Sequence, residues 1–198
     1  MTVIDKKYDT AQICENGHII TIHFDTEEHE RKNFCPQCSA PTIIKCPYCH
    51  SKIQGGLNET HKKLTSFHIR SNLTDFSRTN IGNRNVNYRT LLIHKTKLED
   101  FKIPLYCYNC GKPYPWTQDF LDNINNIIDN DNELDTEQKQ QLKETIPNII
   151  ITTSKTTKAK KVFKNILSSS SKSLVNALKD ELAHSVVTKG LDLFTTLF

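Results

Sequence analysis

The chain has 198 residues, enough for one large domain or two small ones, and 36% of them are hydrophobic. With 24% charged residues and a mean hydropathy of −0.53 it is polar, but not polar enough to be disordered throughout. A net charge of +4 is too small to indicate a nucleic-acid-binding protein on its own.

The N-terminal sequence lacks an apolar stretch of the length found in secretory signals, and no run approaches the ~18–20 apolar residues that span a bilayer. We therefore expect a cytoplasmic protein. Thiols stay reduced in the cytosol, so closely spaced cysteines are more often metal ligands there than disulfides.

Residues 1–50 have the pattern of strands and turns. Ile20, Ile22 and Phe24 alternate with polar residues, which is the two-residue period of a half-buried strand. His23 falls on the polar side of this alternation, and we predict that it is solvated. A short strand at 42–44 separates two CxxC pairs.

The segment 51–106 is too long for a plain loop and is predicted to contain strands at 66–71 and 87–95. It carries ten basic residues against four acidic ones, so the positive charge of the chain is concentrated there. Its arginines are interleaved with aromatic residues, a mixture that suits nucleic acid as well as a solvated surface. The candidate residues for binding a nucleic-acid or protein partner are Arg70, Arg78, Arg84, Arg89 and Lys95.

From residue 117 onward the apolar spacing becomes helical. The apolar residues between 120 and 128 share one helical face, and Thr117 is placed to cap that helix. A second helix is predicted to begin after Asp135, with Gln138 in the capping-box position, and to stop before Pro147. A third apolar face runs over 159–167.

Four serines (168–171) follow, and they either break the helix or lie in a thin exposed turn of it. An amphipathic segment comes next, at 172–198. Three arrangements are open for the helices: a bundle within one chain, a homo-oligomer formed through 172–198, or contact with a membrane surface. Lysines between 155 and 172 favour an interfacial anchor, whereas Asp180, Glu181 and Asp192 oppose binding to anionic lipid.

Seven cysteines and one histidine make two complete sets of four metal ligands. Each CxxC pair directs two sulfurs at one ion from a tight turn, and Cys14 has His18 four residues later in place of a second thiol. We therefore predict two structural Zn²⁺ ions. The predicted ligands are Cys14, His18, Cys35, Cys38, Cys46, Cys49, Cys107 and Cys110.

Sequential pairing gives a first site from residues 14–38 and a second site from residues 46–110, and we prefer it because a hairpin can bring each pair onto its neighbour. A crossed arrangement of alternate pairs uses the same ligands. His18 competes with His50, which follows Cys49 directly and is expected on the surface, and with His23. Four protein ligands leave no position for a catalytic water, so we do not expect an enzyme.

The order Cys14-x3-His18, CPQC, CPYC and CYNCGKPYPWT resembles an uncharacterised bacterial family of zinc-ribbon proteins. The most specific part is the run 111–117, which joins the last CxxC pair to the first helix. The resemblance implies the fold and the zinc sites and is silent on activity. This chain departs from the family pattern in its basic segment and in Ser39, where such turns often carry glycine.

We therefore predict an α+β protein, with a small β double zinc ribbon followed by an α-helical C-terminal region. The ribbon domain is 1–116, with a basic insertion at 51–106, and the helical domain is 117–198. The predicted function is a non-enzymatic interaction protein, in which the ribbons form a platform for a nucleic-acid or protein partner and the helices drive assembly. The alternative is a small membrane-acting effector that uses its C-terminal amphipathic helix.

Overall fold

The computed structural model describes residues 2–69, 84–151, 154–185 and 187, with side chains described outside 2–6 and 59–94. Two small antiparallel sheets form the N-terminal part, and four helices follow. This mixed arrangement confirms the predicted α+β class.

The smaller sheet carries the first ribbon. Its central strand β2 (Gln12–Cys14) pairs with β3 (Ile19–Thr21) on one side and β4 (Thr42–Ile43) on the other. Ile13 lies opposite both Ile19 and Ile43 and is fully buried, so one apolar residue anchors all three strands.

The larger sheet has the order β1–β5–β6, with β1 at Thr2–Thr10, β5 at Gln54–Ile69 and β6 at Arg84–Lys95. The strands predicted at 66–71 and 87–95 therefore lie, where they are described, within a longer hairpin. Its strand β5 pairs along its other edge with β1, so the basic segment and the N-terminus form one sheet.

The two sheets meet where the chain leaves β1 and enters β5. A Cβ atom on Gly55 would lie 2.3 Å from the carbonyl oxygen of Ile22 and 2.7 Å from the carbonyl carbon of Thr10. Only glycine lets these backbones approach so closely. The N–H of Ala11 donates to the carbonyl oxygen of Ile53 at the same crossing, 2.9 Å away.

His23 is buried at this junction, so the prediction that it is solvated was wrong. It is only 4% exposed; its Nε2 lies 2.9 Å from the carbonyl oxygen of Thr96 and its Nδ1 lies 3.6 Å from Asp9 Oδ2. The alternation around residue 23 could not reveal this, because Asp9, Gly56 and Thr96, which surround the ring, are distant from it in the sequence.

Asp9 holds the same junction together. Its carboxylate accepts hydrogen bonds from the N–H groups of Thr10 and Asp25, the hydroxyl of Thr26 and the side-chain amide of Asn58, at 2.7–3.2 Å. Burial raises the pKa of the Asp9 carboxyl, but the hydrogen bonds outweigh burial and the pKa lies below its usual value.

The helical part consists of α1 (Pro115–Asp129), α2 (Thr136–Ile150), α3 (Thr156–Ser168) and α4 (Lys172–His184). Helix α1 packs on α2 and α4, and α2 packs on α3. The predicted apolar faces of α1 and α3 are confirmed, since their central residues are buried in one continuous core. No described helix is both long and apolar enough to cross a bilayer.

Two of the predicted helix ends were wrong. Helix α1 begins at Pro115 with Tyr114 as its N-cap, and Thr117 lies buried inside the first turn. Proline suits the first helical position because its φ is preset and the missing N–H is not needed there. Helix α2 continues through Pro147 to its end at Ile150, because burial of the surrounding isoleucines offsets the lost hydrogen bond.

The predicted capping box of α2 is confirmed. The Asp135 side chain accepts from the N–H of Gln138, while the Gln138 side chain accepts from the N–H of Asp135, which makes a complete capping box. The serine run ends α3, and Ser171 caps α4 through the N–H of Leu174. Helix α4 ends at His184, and most of the remaining amphipathic segment, from 188 to 198, lies outside the described residues.

Candidate metal centres

The three CxxC pairs adopt one backbone turn, which we call a knuckle, at 35–40, 46–51 and 107–112. In each knuckle the residue after the second cysteine donates its N–H to the carbonyl of the first cysteine, at 2.8–2.9 Å. The first cysteine in turn donates its N–H to the carbonyl five residues later, at 2.8 Å. The repeated bonds show that the local sequence sets the turn and directs both sulfurs to the same side.

Each knuckle needs a left-handed residue directly after its second cysteine. The φ angles there are 56° at Ser39, 58° at His50 and 71° at Gly111. Glycine adopts this conformation without strain, whereas a side chain makes it less favourable. This explains why glycine is expected at the position of Ser39.

The remaining pair of ligands comes from a related turn between β2 and β3. Gly17, at a φ of 83°, donates its N–H to the carbonyl of Cys14, and Cys14 donates its own N–H to the carbonyl of His18. The N–H of His18 also lies 3.2 Å from Cys14 Sγ. The turn therefore holds a sulfur and an imidazole on one side, as a knuckle holds two sulfurs.

The first site brings together Cys14, His18, Cys35 and Cys38. A tetrahedral zinc ion separates two sulfurs by about 3.8 Å, and a sulfur from an imidazole nitrogen by about 3.6 Å, given its usual bond lengths. Cys14 Sγ lies 3.8 Å from Cys38 Sγ, and His18 Nδ1 lies 3.3–3.7 Å from the three sulfurs. These separations match the edges of such a tetrahedron.

The second site brings together Cys46, Cys49, Cys107 and Cys110. Cys46 Sγ lies 3.8 Å from Cys110 Sγ, and Cys49 Sγ lies 3.6 Å from Cys107 Sγ. All four sulfurs lie within 4.8 Å of one another. The two clusters therefore fit two structural zinc sites, and the preferred sequential pairing is confirmed over the crossed one. His50 is exposed and belongs to neither cluster.

Ser51 is a residue of the second site that the sequence reasoning missed. Its hydroxyl lies 3.1 Å from Cys49 Sγ and 3.2 Å from Cys107 Sγ, so it can donate to either sulfur. Such outer partners orient metal ligands and tune their basicity. The feature of the sequence that could have identified Ser51 is a hydroxyl residue two positions after Cys49. The first knuckle has Ala40 at the equivalent position, which cannot donate such a side-chain hydrogen bond.

The surroundings of the thiols raise the pKa of some cysteines and lower that of others. A backbone hydrogen bond from Ala40 lowers the pKa of Cys38 to about 6, and the hydroxyl of Ser51 lowers that of Cys49 to about 5. Burial raises the pKa of Cys14 to about 11. Neighbouring thiols so close cannot all ionise by themselves, so a divalent cation is what would hold each complete set as thiolates.

The core of the ribbons continues directly into the helices. Trp116 stacks on Tyr114, with ring centroids 4.9 Å apart, and its indole N–H donates to the carbonyl of Pro104. Both aromatic side chains are buried together with Cys46 and Cys107. The second site thus sits at the base of α1.

The structure does not bring the predicted partner-binding residues into one described cluster. Arg70 and Arg78 lie outside the described residues. Arg84 and Arg89 lie on β6, opposite positions 69 and 63 of β5, and their side chains are not described. Lys95, at the end of β6, forms an ion pair with Glu27.

A family model described as an uncharacterized protein conserved in bacteria (DUF2321) matches residues 7–76 and 78–190, nearly the whole chain. The match includes the basic segment 51–106 apart from residue 77, so the expected departure from the family pattern in this segment was wrong. No curated protein and no solved structure matches the chain.

Proposed function

The chain belongs to this bacterial family, and we propose that it is a non-enzymatic interaction protein whose two zinc ions hold a binding platform in shape. The observation that carries the proposal is that each cluster supplies four ligand atoms at tetrahedral separations. A zinc ion so enclosed has no position for a reacting water, and its contribution is to folding.

Substitution of zinc by Co²⁺ tests this role, because the visible spectrum of Co²⁺ reports its ligands. We expect two tetrahedral centres, one with three thiolates and one imidazole and one with four thiolates, and neither spectrum should change when azide is added. A Cys38→Ala variant, which opens a position at the first site, is the positive control. An azide response in the wild-type protein would contradict the proposal.

The proposed partner is nucleic acid or protein, and the basic segment 51–106 supports the nucleic-acid form through its ten cations. Binding through phosphates should weaken steeply as salt rises. We expect an Arg84→Glu, Arg89→Glu double variant to weaken binding to any nucleic acid that the wild-type chain binds. Unchanged affinity in that variant would remove the basic segment from the interface.

Helix assembly and membrane contact remain predictions. Leu174, Leu178 and Leu182 of α4 are buried in the described bundle, which favours packing within the chain over a lipid-facing role for this part of the helix. Flotation with anionic vesicles tests the membrane alternative. The matched variant replaces the exposed lysines Lys158, Lys161 and Lys164 by glutamate. If the chain binds membranes, the wild-type protein should float with the vesicles and this variant should not.

A further inference from the structure

The surroundings of the second zinc site carry positive charge without any carboxylate in the sequence that builds them. The segments 41–58 and 101–118 contain four lysines and no acidic residue. By contrast, the segment 15–30 of the first ribbon contains five acidic residues. Lys52 is paired with Asp25 at 3.0 Å, whereas Lys45, Lys102 and Lys112 are exposed.

Two tyrosines project from the knuckles that close this site. Tyr48 is 51% exposed and Tyr108 is 68% exposed, although the cysteines beside them are drawn together at the metal site. The ammonium group of Lys112 lies 4.5 Å from the centre of the Tyr48 ring. One aromatic face is thus already paired with a cation, on a backbone that the knuckle bonds hold rigid.

We name this surface the second-ribbon face, and its residues are Lys45, Tyr48, Tyr108 and Lys112. We propose that the second-ribbon face binds single-stranded nucleic acid, an inference that rests on the proposed interaction role. Exposed tyrosines give unpaired bases a surface on which to stack, and lysines beside them neutralise the phosphates. Neither segment adds a carboxylate of its own that would repel a polyanion.

The lysines and the lack of exposed aliphatic side chains among the described residues of this face argue against a protein partner there, whereas exposed tyrosines occur at interfaces of both kinds. Protein interfaces have an apolar centre and are depleted in lysine. The exposed large aliphatic side chains of the described residues are Leu98 and Ile151, and neither belongs to the second-ribbon face. Two exposed tyrosines on separate knuckles, one of them beside Lys112, suit base stacking better than they suit an apolar centre.

The test is fluorescence anisotropy of the full zinc-loaded chain with labelled oligomers of about twelve nucleotides, within the range of site sizes for single-strand binders. Oligo-dT and oligo-rU distinguish DNA from RNA, and a duplex is the comparator. A Tyr48→Ala, Tyr108→Ala variant should bind at least about fivefold more weakly for each tyrosine that stacks a base. The matched control replaces Tyr8 and Phe34, which are 57% and 65% exposed outside the face, and should keep wild-type affinity.

A second variant, Lys45→Gln, Lys112→Gln, separates charge from stacking. It should lower the slope of log affinity against log salt by about 0.7 for each phosphate that the variant no longer neutralises, while both zinc ions stay bound. The proposal is overturned if the wild-type chain binds neither single strand at about 100 µM, the weak end of non-specific binding, or if the tyrosine and control variants lose affinity equally. If the oligomers fail to bind but the cobalt spectra do not respond to azide, only the nucleic-acid proposal is refuted and the interaction role is not. If the cobalt spectra respond to azide, the interaction role is refuted, whatever the oligomer experiments give.

Discussion

Ser51→Ala should weaken zinc binding at the second site and leave the first site unchanged. The Ser51 hydroxyl has one proton and lies 3.1 and 3.2 Å from two sulfurs, so the change removes one hydrogen bond shared between them. Losing one outer partner of a metal ligand costs about 10–100-fold in affinity, and a single shared bond places the expected loss at about tenfold.

The size of this effect should depend on pH. The Ser51 hydroxyl is the largest of several hydrogen bonds that lower the pKa of Cys49 to about 5, so the pKa should rise without it. At a pH between the two pKa values, Cys49 is a thiolate in the wild type and a thiol in the variant. Zinc must therefore displace a proton from Cys49 in the variant but not in the wild type. The deficit should therefore grow as the pH falls from about 8.5 toward 5.

The assay is competition for zinc with a chromophoric chelator. It measures the affinity of each site and the order in which the two metal equivalents leave the protein. Cobalt-loaded protein identifies the site, because a four-thiolate centre and a centre with one imidazole differ in their spectra. Ser39→Ala, an exposed knuckle serine of the first ribbon, is the matched control. Equal loss at both sites, or a deficit that shrinks as the pH falls, would refute the reasoning.

Four further substitutions test the junction and the knuckles by unfolding of the zinc-loaded protein. Asp9→Ala leaves buried donors without an acceptor and should lower the free energy of unfolding by about 3 kcal/mol; a loss below about 1 kcal/mol in urea unfolding would count against the role given to this carboxylate. Gly55→Ala places a Cβ 2.3 Å from a backbone oxygen and should lower the free energy of unfolding by about 1–3 kcal/mol. A thermal midpoint equal to that of the wild type would show that the backbones at the crossing can move apart freely. Ser39→Gly and Gly111→Ala should act with opposite signs, the first stabilising by about 0.5 kcal/mol and the second destabilising by about 1 kcal/mol, and thermal unfolding that gives them the same sign would exclude left-handed strain as the cause.

The sequence by itself determined the metal chemistry. A knuckle is a local turn of six residues, so the spacing of each CxxC pair already fixes where its two sulfurs point and which eight residues are ligands. The division into two sets of four was a preference from the sequence, and the structure decided it. The capping box at Asp135 and Gln138 is local in the same sense, and its signal was sufficient.

Only the tertiary structure decided what covers the ribbons. The alternation of residues 20–24 predicts a solvated strand position for His23, but β3 ends at Thr21, and His23 is buried because Thr96, which directly follows β6, lies against its ring. The continuation of α2 through Pro147 is a similar case, because the helix is held by isoleucines that pack on neighbouring helices. Local spacing encodes turns and ligand directions, whereas burial depends on pairings between residues far apart in the chain, which no short pattern contains.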